Sequence, residues 1–211
     1  MTLKICHRAR PTLHGMRPWL ATLCLIGVTA GALTVRAQEE QSAVEEARAL
    51  FREGIEFIDQ ERWDEAAEVF RRALALHDAP TIVYNLGIAL SHAGRLIEAA
   101  ESLRRLRDDA SADAGIRADA RRQLSLIEPR IGHLNVSVEG DAEGSELAID
   151  GRVVDAGAGP VAVDPGTHTV ALRRNETALA EETVEVADGA SVDVALAAVP
   201  TARETAERAQ P

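Results

Sequence analysis

Apolar residues between positions 44 and 58 recur at steps of three and four, the spacing of one face of an α-helix. This stripe consists of Val44, Ala47, Phe51, Ile55 and Ile58. Just before it, Ser42 and Glu45 have the spacing of a capping box, in which side chains bond to the backbone of the first helical turn. The pattern therefore predicts a helix that begins near Ser42 and ends near Asp59, where a run of polar residues interrupts it.

The same helical spacing recurs four more times along the chain. A second helix is predicted from about Asp64 to His77. Pro80 marks the start of a third, because the first helical position tolerates the missing N–H of proline. Gly94 is placed to follow the end of this third helix, and Pro129 ends the fifth. The predicted apolar face of the second helix consists of Ala66, Val69, Phe70, Ala73 and Leu76, and that of the third of Ile82, Val83, Leu86 and Ile88. The face of the fourth helix consists of Ile97, Ala100, Leu103 and Leu106, and that of the fifth of Ile116, Ala120, Leu124 and Ile127.

Gly54 and Gly87 are 33 residues apart, and other residues repeat with the same period. The matching pairs are Leu50 and Val83, Phe57 and Leu90, Ala66 and Ala99, and Phe70 and Leu103. A period of this length indicates stacked two-helix units, with the small residues Gly54 and Ala66 facing each other where two helices cross. The pattern resembles two tetratricopeptide repeats, at residues 47–79 and 80–112. A capping helix at 113–128 completes a predicted helical domain of residues 38–129.

The resemblance implies a protein or peptide partner, bound along the concave face that the first helix of each pair lines. The residues predicted to form this groove are Arg48, Phe51, Ile55, Asp59, Tyr84, Asn85, Ile88 and His92. Asn85 occupies the position that, in peptide-binding members, hydrogen-bonds the ligand backbone, and Tyr84 and Phe51 offer flat apolar contact. The alternative is that Phe51, Ile55 and Ile88 only pack on neighbouring helices.

After Pro129 the apolar period changes from about 3.6 residues to two. Short alternating runs, such as Leu134 to Val138, are separated by Asp-Gly and Pro-Gly pairs at Asp150, Pro165 and Asp188. Such runs and turns predict a small antiparallel β-sandwich of six or seven strands over residues 131–199. The predicted fold class is thus multi-domain, with α-helical repeats followed by a β domain.

This β region resembles a PEGA domain, a small module of bacterial exported proteins. The matching strings are Leu147-Ala-Ile-Asp-Gly151, Gly159-Pro160 and Val163-Asp-Pro-Gly-Thr-His-Thr-Val170. The resemblance implies association with the cell envelope or surface and no known catalysis. The polar residues 200–211 are predicted to form a disordered tail.

The first 37 residues contain five basic residues and no acidic one, and an apolar run from Trp19 to Val35 follows the basic stretch. Val35 and Ala37 then fit a cleavage site before Gln38, so the segment is predicted to be a secretory signal peptide. The alternative is an uncleaved membrane anchor.

Cleavage would remove five positive charges and change the formal charge from −11 to −16. So acidic a chain argues against nucleic acid as a partner. Both cysteines would leave with the segment.

The pattern of titratable residues does not favour an enzyme. The histidines after residue 37 include no pair spaced four apart, and no metalloprotease or C-x-x-C motif occurs. His168 is expected to be a packing or turn residue. Asp150 and Asp164 belong to a group of acidic residues that suggests calcium, but turn chemistry explains them as well. No catalytic residue, metal site or cofactor is therefore predicted.

Together these features predict a non-enzymatic, exported adaptor in the periplasm or cell envelope. Its repeats would bind an envelope protein or peptide, or a cell-wall or surface component, and it would contact a membrane only if the N-terminal segment is kept. A purely structural or self-associating envelope protein is the alternative, and a small enzyme is a weaker one.

Overall fold

The computed structural model describes residues 19–140, 142–155, 157, 159–175 and 177–198, with side chains from residue 38 onward. The chain divides into two units, Met1–Val44 and Glu45–Pro211, and every contact described below lies in the second. The first 18 residues of the predicted signal peptide and the predicted tail at 200–211 lie outside the described residues. Among the described residues, no helix is both long enough and apolar enough to cross a membrane.

Helix α1, Trp19–Asp59, includes Ser42, so the predicted helix start at Ser42 is wrong. The residues before Ser42 include alanine, glutamine and glutamate, which are good helix formers, and nothing there interrupts the helix. Among the side chains of α1 that the structure describes, from residue 38 onward, the buried positions are Ala47, Leu50 and Gly54, whereas most of the predicted apolar stripe is only half-buried at the margin of the core.

Four further helices follow: α2 (Trp63–Leu76), α3 (Pro80–His92), α4 (Leu96–Asp108) and α5 (Ala114–Ile127). Pro80 is the first residue of α3, and Gly94 follows its end with a φ of 80°, a conformation that glycine adopts without strain. A 3-10 turn, Glu128–Arg130, contains Pro129 and follows α5. These boundaries confirm the predicted helix ends. Leu76, predicted to face inward, is instead 36% exposed.

The two predicted repeats share one packing contact. A Cβ atom built on Gly54 would lie 2.5 Å from Cε1 of Phe70, and a Cβ on Gly87 would lie 2.8 Å from Cγ of Leu103. Both distances are shorter than an unstrained carbon–carbon contact. The glycines therefore let a large side chain of the second helix approach the backbone of the first. The three atoms nearest to a Cβ on Gly54 all belong to the aromatic ring of Phe70, so Phe70, and not the predicted Ala66, makes the closest contact there.

The β region contains seven strands: β1 (Gly132–Gly140), β2 (Glu146–Ile149), β3 (Arg152–Val154), β4 (Val161–Val163), β5 (Gly166–Arg174), β6 (Thr177–Val186) and β7 (Ser191–Ala198). They form a three-stranded sheet in the order β4-β1-β7 and a four-stranded sheet in the order β3-β2-β5-β6. The apolar side chains of both sheets meet in one core, which includes Leu134, Val170 and Val194. The predicted order of helical repeats followed by a β domain is confirmed.

One strand pair differs from the predicted antiparallel sandwich, since β1 and β7 run parallel. The amide of Gly189, just before β7, donates to the carbonyl of Arg130, just before β1. Both strands therefore begin at the same end of the sheet and run in the same direction. The remaining pairs are antiparallel, and β2 and β3 are joined by Asp150 and Gly151, both with positive φ, as a two-residue hairpin turn requires.

Candidate partner-binding pocket

A cavity of about 670 Å³ lies between α1 and the start of α3. It is lined by Glu45, Ala47, Arg48, Phe51, Arg52, His77, Ala79, Thr81 and Ile82. Its volume falls in the range of pockets that hold small ligands or a few side chains of a peptide. The Pro80 helix start and the 33-residue period explain its position. The period places Thr81 one repeat after Arg48, and the helix start at Pro80 puts it in the first turn of α3, the first helix of the next pair.

The base of the cavity is apolar and fixed by the repeat core. Ala47 and Ile82 are almost fully buried, with 1% and 4% of their surface exposed. The ring of Phe51 packs on the ring of Phe70, with centroids 5.6 Å apart and planes tilted by 51°. Such a pair restricts the Phe51 ring, which therefore offers a preformed apolar surface to a bound side chain.

Two exposed arginines, Arg48 and Arg52, lie about one turn apart on α1 at the margin of this cavity. Neither forms an ion pair or a side-chain hydrogen bond with another residue in the described part of the chain. By contrast, Arg71 and Arg95 both pair with Glu98, at 2.7 Å and 2.6 Å, and the Arg71 pair joins α2 to α4. Arg48 and Arg52 are therefore available to an anionic group from outside the repeat domain.

The other predicted groove residues do not line this cavity. Asn85 donates from Nδ2 to the carbonyl oxygen of Thr81 at 2.8 Å, so one of its amide hydrogens is used within its own helix. The ring of His92 stacks on that of Trp63, with centroids 4.2 Å apart. Tyr84 and Ile55 are half-buried against the helical core, Ile88 is half-buried and Asp59 is exposed. Of the eight predicted residues, the structure brings Arg48 and Phe51 together in the cavity.

Several residues that line the cavity were not predicted from the sequence, namely Glu45, Ala47, Arg52, His77, Ala79, Thr81 and Ile82. Arg52 follows Arg48 by four residues, so the helical spacing that singled out Arg48 could also have found it. The residues from His77 to Ile82 belong to the α2–α3 connection and the first turn of α3. They line the cavity because stacking places equivalent positions of consecutive repeats next to one another.

A second cavity, of about 280 Å³, lies where the N-terminus of α4 meets the β domain. Its lining includes Ile97, Asp150, Arg152, Asp164 and His168. His168 is 9% exposed, with Nδ1 2.7 Å from Oδ2 of Asp150 and Nε2 2.6 Å from the carbonyl oxygen of Asp164. The Asp150–Gly151 and Pro165–Gly166 turns thus bring His168 together with Asp150 and Asp164, a contact that the sequence did not predict.

The charged forms of His168 and Asp150 stabilise each other. Burial disfavours the charged form of His168, but its hydrogen bonds to Asp150 and to the Asp164 carbonyl outweigh burial and raise the pKa of His168. Burial likewise opposes the charged Asp150, yet the bonds from His168 and from the Thr169 amide lower the pKa of Asp150. Within the described residues, no group of three or more His, Cys, Asp or Glu side chains is arranged to hold a metal ion.

The helix pairs, their glycine crossings and the cavity on the first helices define the helical half as a repeat scaffold of the kind that binds proteins. Comparison with known families identifies the repeat type: residues 51–114 match the tetratricopeptide repeat family. Proteins with such repeats are typically non-enzymatic adaptors. No curated protein matches the chain.

Proposed function

We propose that this chain is an exported, non-enzymatic adaptor whose helical repeats bind a protein partner and whose PEGA-like β domain associates with the cell envelope. The repeat match at residues 51–114 supports the adaptor role. The observation that carries the proposal is the cavity between α1 and α3, with its apolar base and its two unpaired arginines. Its partner is a peptide segment that carries an apolar side chain beside carboxylates.

The chemistry of the cavity supports this kind of partner. A guanidinium group forms two parallel hydrogen bonds with a carboxylate, which gives both strength and orientation. An apolar side chain beside that carboxylate would cover the half-buried ring of Phe51 and remove its exposed surface from water, at roughly 25 cal/mol for each Å² buried. Glu45 lies at the same margin and would repel a carboxylate placed next to it, so the acidic group belongs near Arg48 and Arg52.

The export proposal is supported by the N-terminal sequence, in which a basic stretch, an apolar run and the residues Val35 to Ala37 follow one another. If it is correct, the protein in the exported fraction begins at Gln38. Intact-mass measurement of the protein from its native host tests this. A mass that retains residues 1–37, found in the membrane fraction, would instead favour an anchored protein.

Affinity capture tests the adaptor proposal. The full-length chain and the variant Arg48→Glu/Arg52→Glu are used in parallel to capture proteins from the envelope and soluble fractions of the native host. Arg72→Glu is the matched control, because Arg72 is an exposed arginine on α2 outside the cavity. The expected result is an envelope protein retained by the unchanged chain and by the control, but lost with the cavity variant. Retention by all three would contradict the proposed site, and capture only from the soluble fraction would contradict envelope association.

A further inference from the structure

Helix α4 receives its N-terminal cap from the β domain. Its N-cap residue, Arg95, makes no capping hydrogen bond with its side chain. The amide of Ile97, one of the first amides of α4, donates instead to Oδ1 of Asp164 at 2.8 Å. Helix N-termini leave such amides without a partner in the helix, and a carboxylate there also interacts favourably with the helix dipole. A single side chain of the β domain thus completes a helix of the second repeat.

His168 fixes the segment that carries this cap. Its Nε2 lies 2.6 Å from the backbone oxygen of Asp164, and its Nδ1 lies 2.7 Å from Oδ2 of Asp150. Asp150 is itself held by two bonds to Thr169, one from the Thr169 amide to Oδ1 at 2.9 Å and one from its own amide to the Thr169 carbonyl. The imidazole therefore connects the fixed β2–β3 turn to the segment that contacts α4.

Both oxygens that face the imidazole are acceptors. A backbone carbonyl cannot donate, and an ionised carboxylate only accepts. Both contacts are therefore hydrogen bonds only when both ring nitrogens carry a proton, which is the imidazolium form. Neutral histidine has one N–H, so its second nitrogen would direct a lone pair at an oxygen less than 3 Å away. Loss of the proton breaks one of the two bonds whichever tautomer forms.

We propose that His168 is a proton-controlled latch between the two domains: the imidazolium holds the Asp164 segment on the N-terminus of α4, and deprotonation releases it. A second connection does not depend on this histidine. Arg130 Nε donates to Oδ2 of Asp188 at 2.8 Å, and the Arg130 carbonyl accepts from the Gly189 amide. When the latch opens, this connection remains as the pivot between the repeats and the β domain.

The charges around His168 set the direction of the pH response. Asp150 and Asp164 face it, Arg152 lies in the same cavity, and its uncharged neighbours are Val184 on β6 and Ile97 on α4. The pKa of His168 is raised by its two acceptors against the effect of burial. Its contribution to stability is thus fully present below its ordinary pKa of about 6.5 and is lost as the pH rises through the higher folded value. The latch is closed in mild acid and opens towards alkaline pH.

Nuclear magnetic resonance of the full-length chain tests the latch. The imidazole of His168 and the backbone amide of Ile97 are followed between pH 5 and pH 9. The expected result is one shared midpoint above pH 6.5 for both signals, with the Ile97 amide moving towards the position of an unbonded helix N-terminus at high pH. A constant Ile97 signal, or a midpoint that differs from that of His168, would overturn the proposal.

Two variants separate the latch from a general effect of pH. Asp164→Ala removes the cap but keeps the carbonyl that His168 contacts, so His168 should still titrate while Ile97 no longer responds. His77→Gln is the matched control, because His77 is an exposed histidine of the helical domain outside this cluster, and it should leave both titrations unchanged. An Ile97 response that persists in Asp164→Ala would show that it arises elsewhere and would refute the latch.

Discussion

The contact between Gly54 and Phe70 should make a branched side chain at position 54 strongly unfavourable. A Cβ atom there would lie 2.5, 2.7 and 2.9 Å from three ring carbons of Phe70. Unstrained carbon atoms lie about 3.5–4.0 Å apart, so the overlap is about 1 Å before the two methyl groups of valine are added. Phe70 cannot move aside easily, because it is fully buried and its ring packs on Phe51.

The expected cost of Gly54→Val is that of an overpacked core, about 1–3 kcal/mol of unfolding free energy. Helix propensity acts in the opposite direction, because valine is a better helix former than glycine by a few tenths of a kcal/mol. The two effects differ in sign, and the packing effect is several times larger. The variant should therefore be less stable, whereas an exposed glycine on the same helix would give a small gain.

Urea unfolding followed by circular dichroism at 222 nm measures this difference. Ala49→Val is the matched control, since it places the same side chain on the exposed face of α1 and should cost only the difference in propensity, about 0.5 kcal/mol. A second background, Phe70→Leu, lacks the two ring carbons nearest to Gly54. There the cost of Gly54→Val should fall, with a coupling of about 0.5–3 kcal/mol. Equal costs in both backgrounds would refute the proposed contact.

Two further predictions concern other contacts of the fold. Gly189→Ala should lower the free energy of unfolding, measured in urea, by about 1–3 kcal/mol. Gly189 has a φ of 66°, and a Cβ atom there would overlap the carbonyl of Pro129. Unchanged stability would contradict the close contact between Gly189 and Pro129. Burial opposes the charge of Glu98, but Arg95 and Arg71 lower its pKa, so its stabilising effect is present above the ordinary glutamate pKa and is lost as pH falls through the lower folded value. Glu98→Gln should therefore reduce the free energy of unfolding at pH 7 by less than about 1 kcal/mol, because the Glu98 side chain is 43% exposed, and this loss should shrink as the pH falls below the ordinary glutamate pKa. A loss that stays the same on acidification would show a packing effect instead.

The helical boundaries could be predicted because they depend on local chemistry. Proline at the first position of α3 and glycine after its end act through their own backbone geometry. The 33-residue period likewise identified the glycine crossings, since both repeats pack a large side chain of the second helix against a glycine of the first. The start of α1 could not be predicted in this way, because a capping box inside a run of good helix formers does not oblige a helix to begin there.

Features that depend on residues distant in the sequence were not predicted. The parallel pairing of β1 with β7 follows from the Gly189 bond to Arg130, and the cap on Ile97 comes from Asp164, 67 residues away. The same applies to the pocket, where Arg48 and Phe51 were identified but Ile82 was not. Periodicity assigns a residue to a helix face, whereas the shape of a cavity depends on which elements meet there.

The measurement that tests the partner-binding proposal most directly is selection of displayed random peptides on the purified full-length chain. We expect the enriched peptides to combine aspartate or glutamate with an apolar side chain. They should bind Arg48→Glu/Arg52→Glu at least tenfold more weakly, a difference of about 1.4 kcal/mol, and bind the control Arg72→Glu with unchanged affinity. Failure to enrich any peptide, or equal binding to the cavity variant and the unchanged chain, would contradict the account.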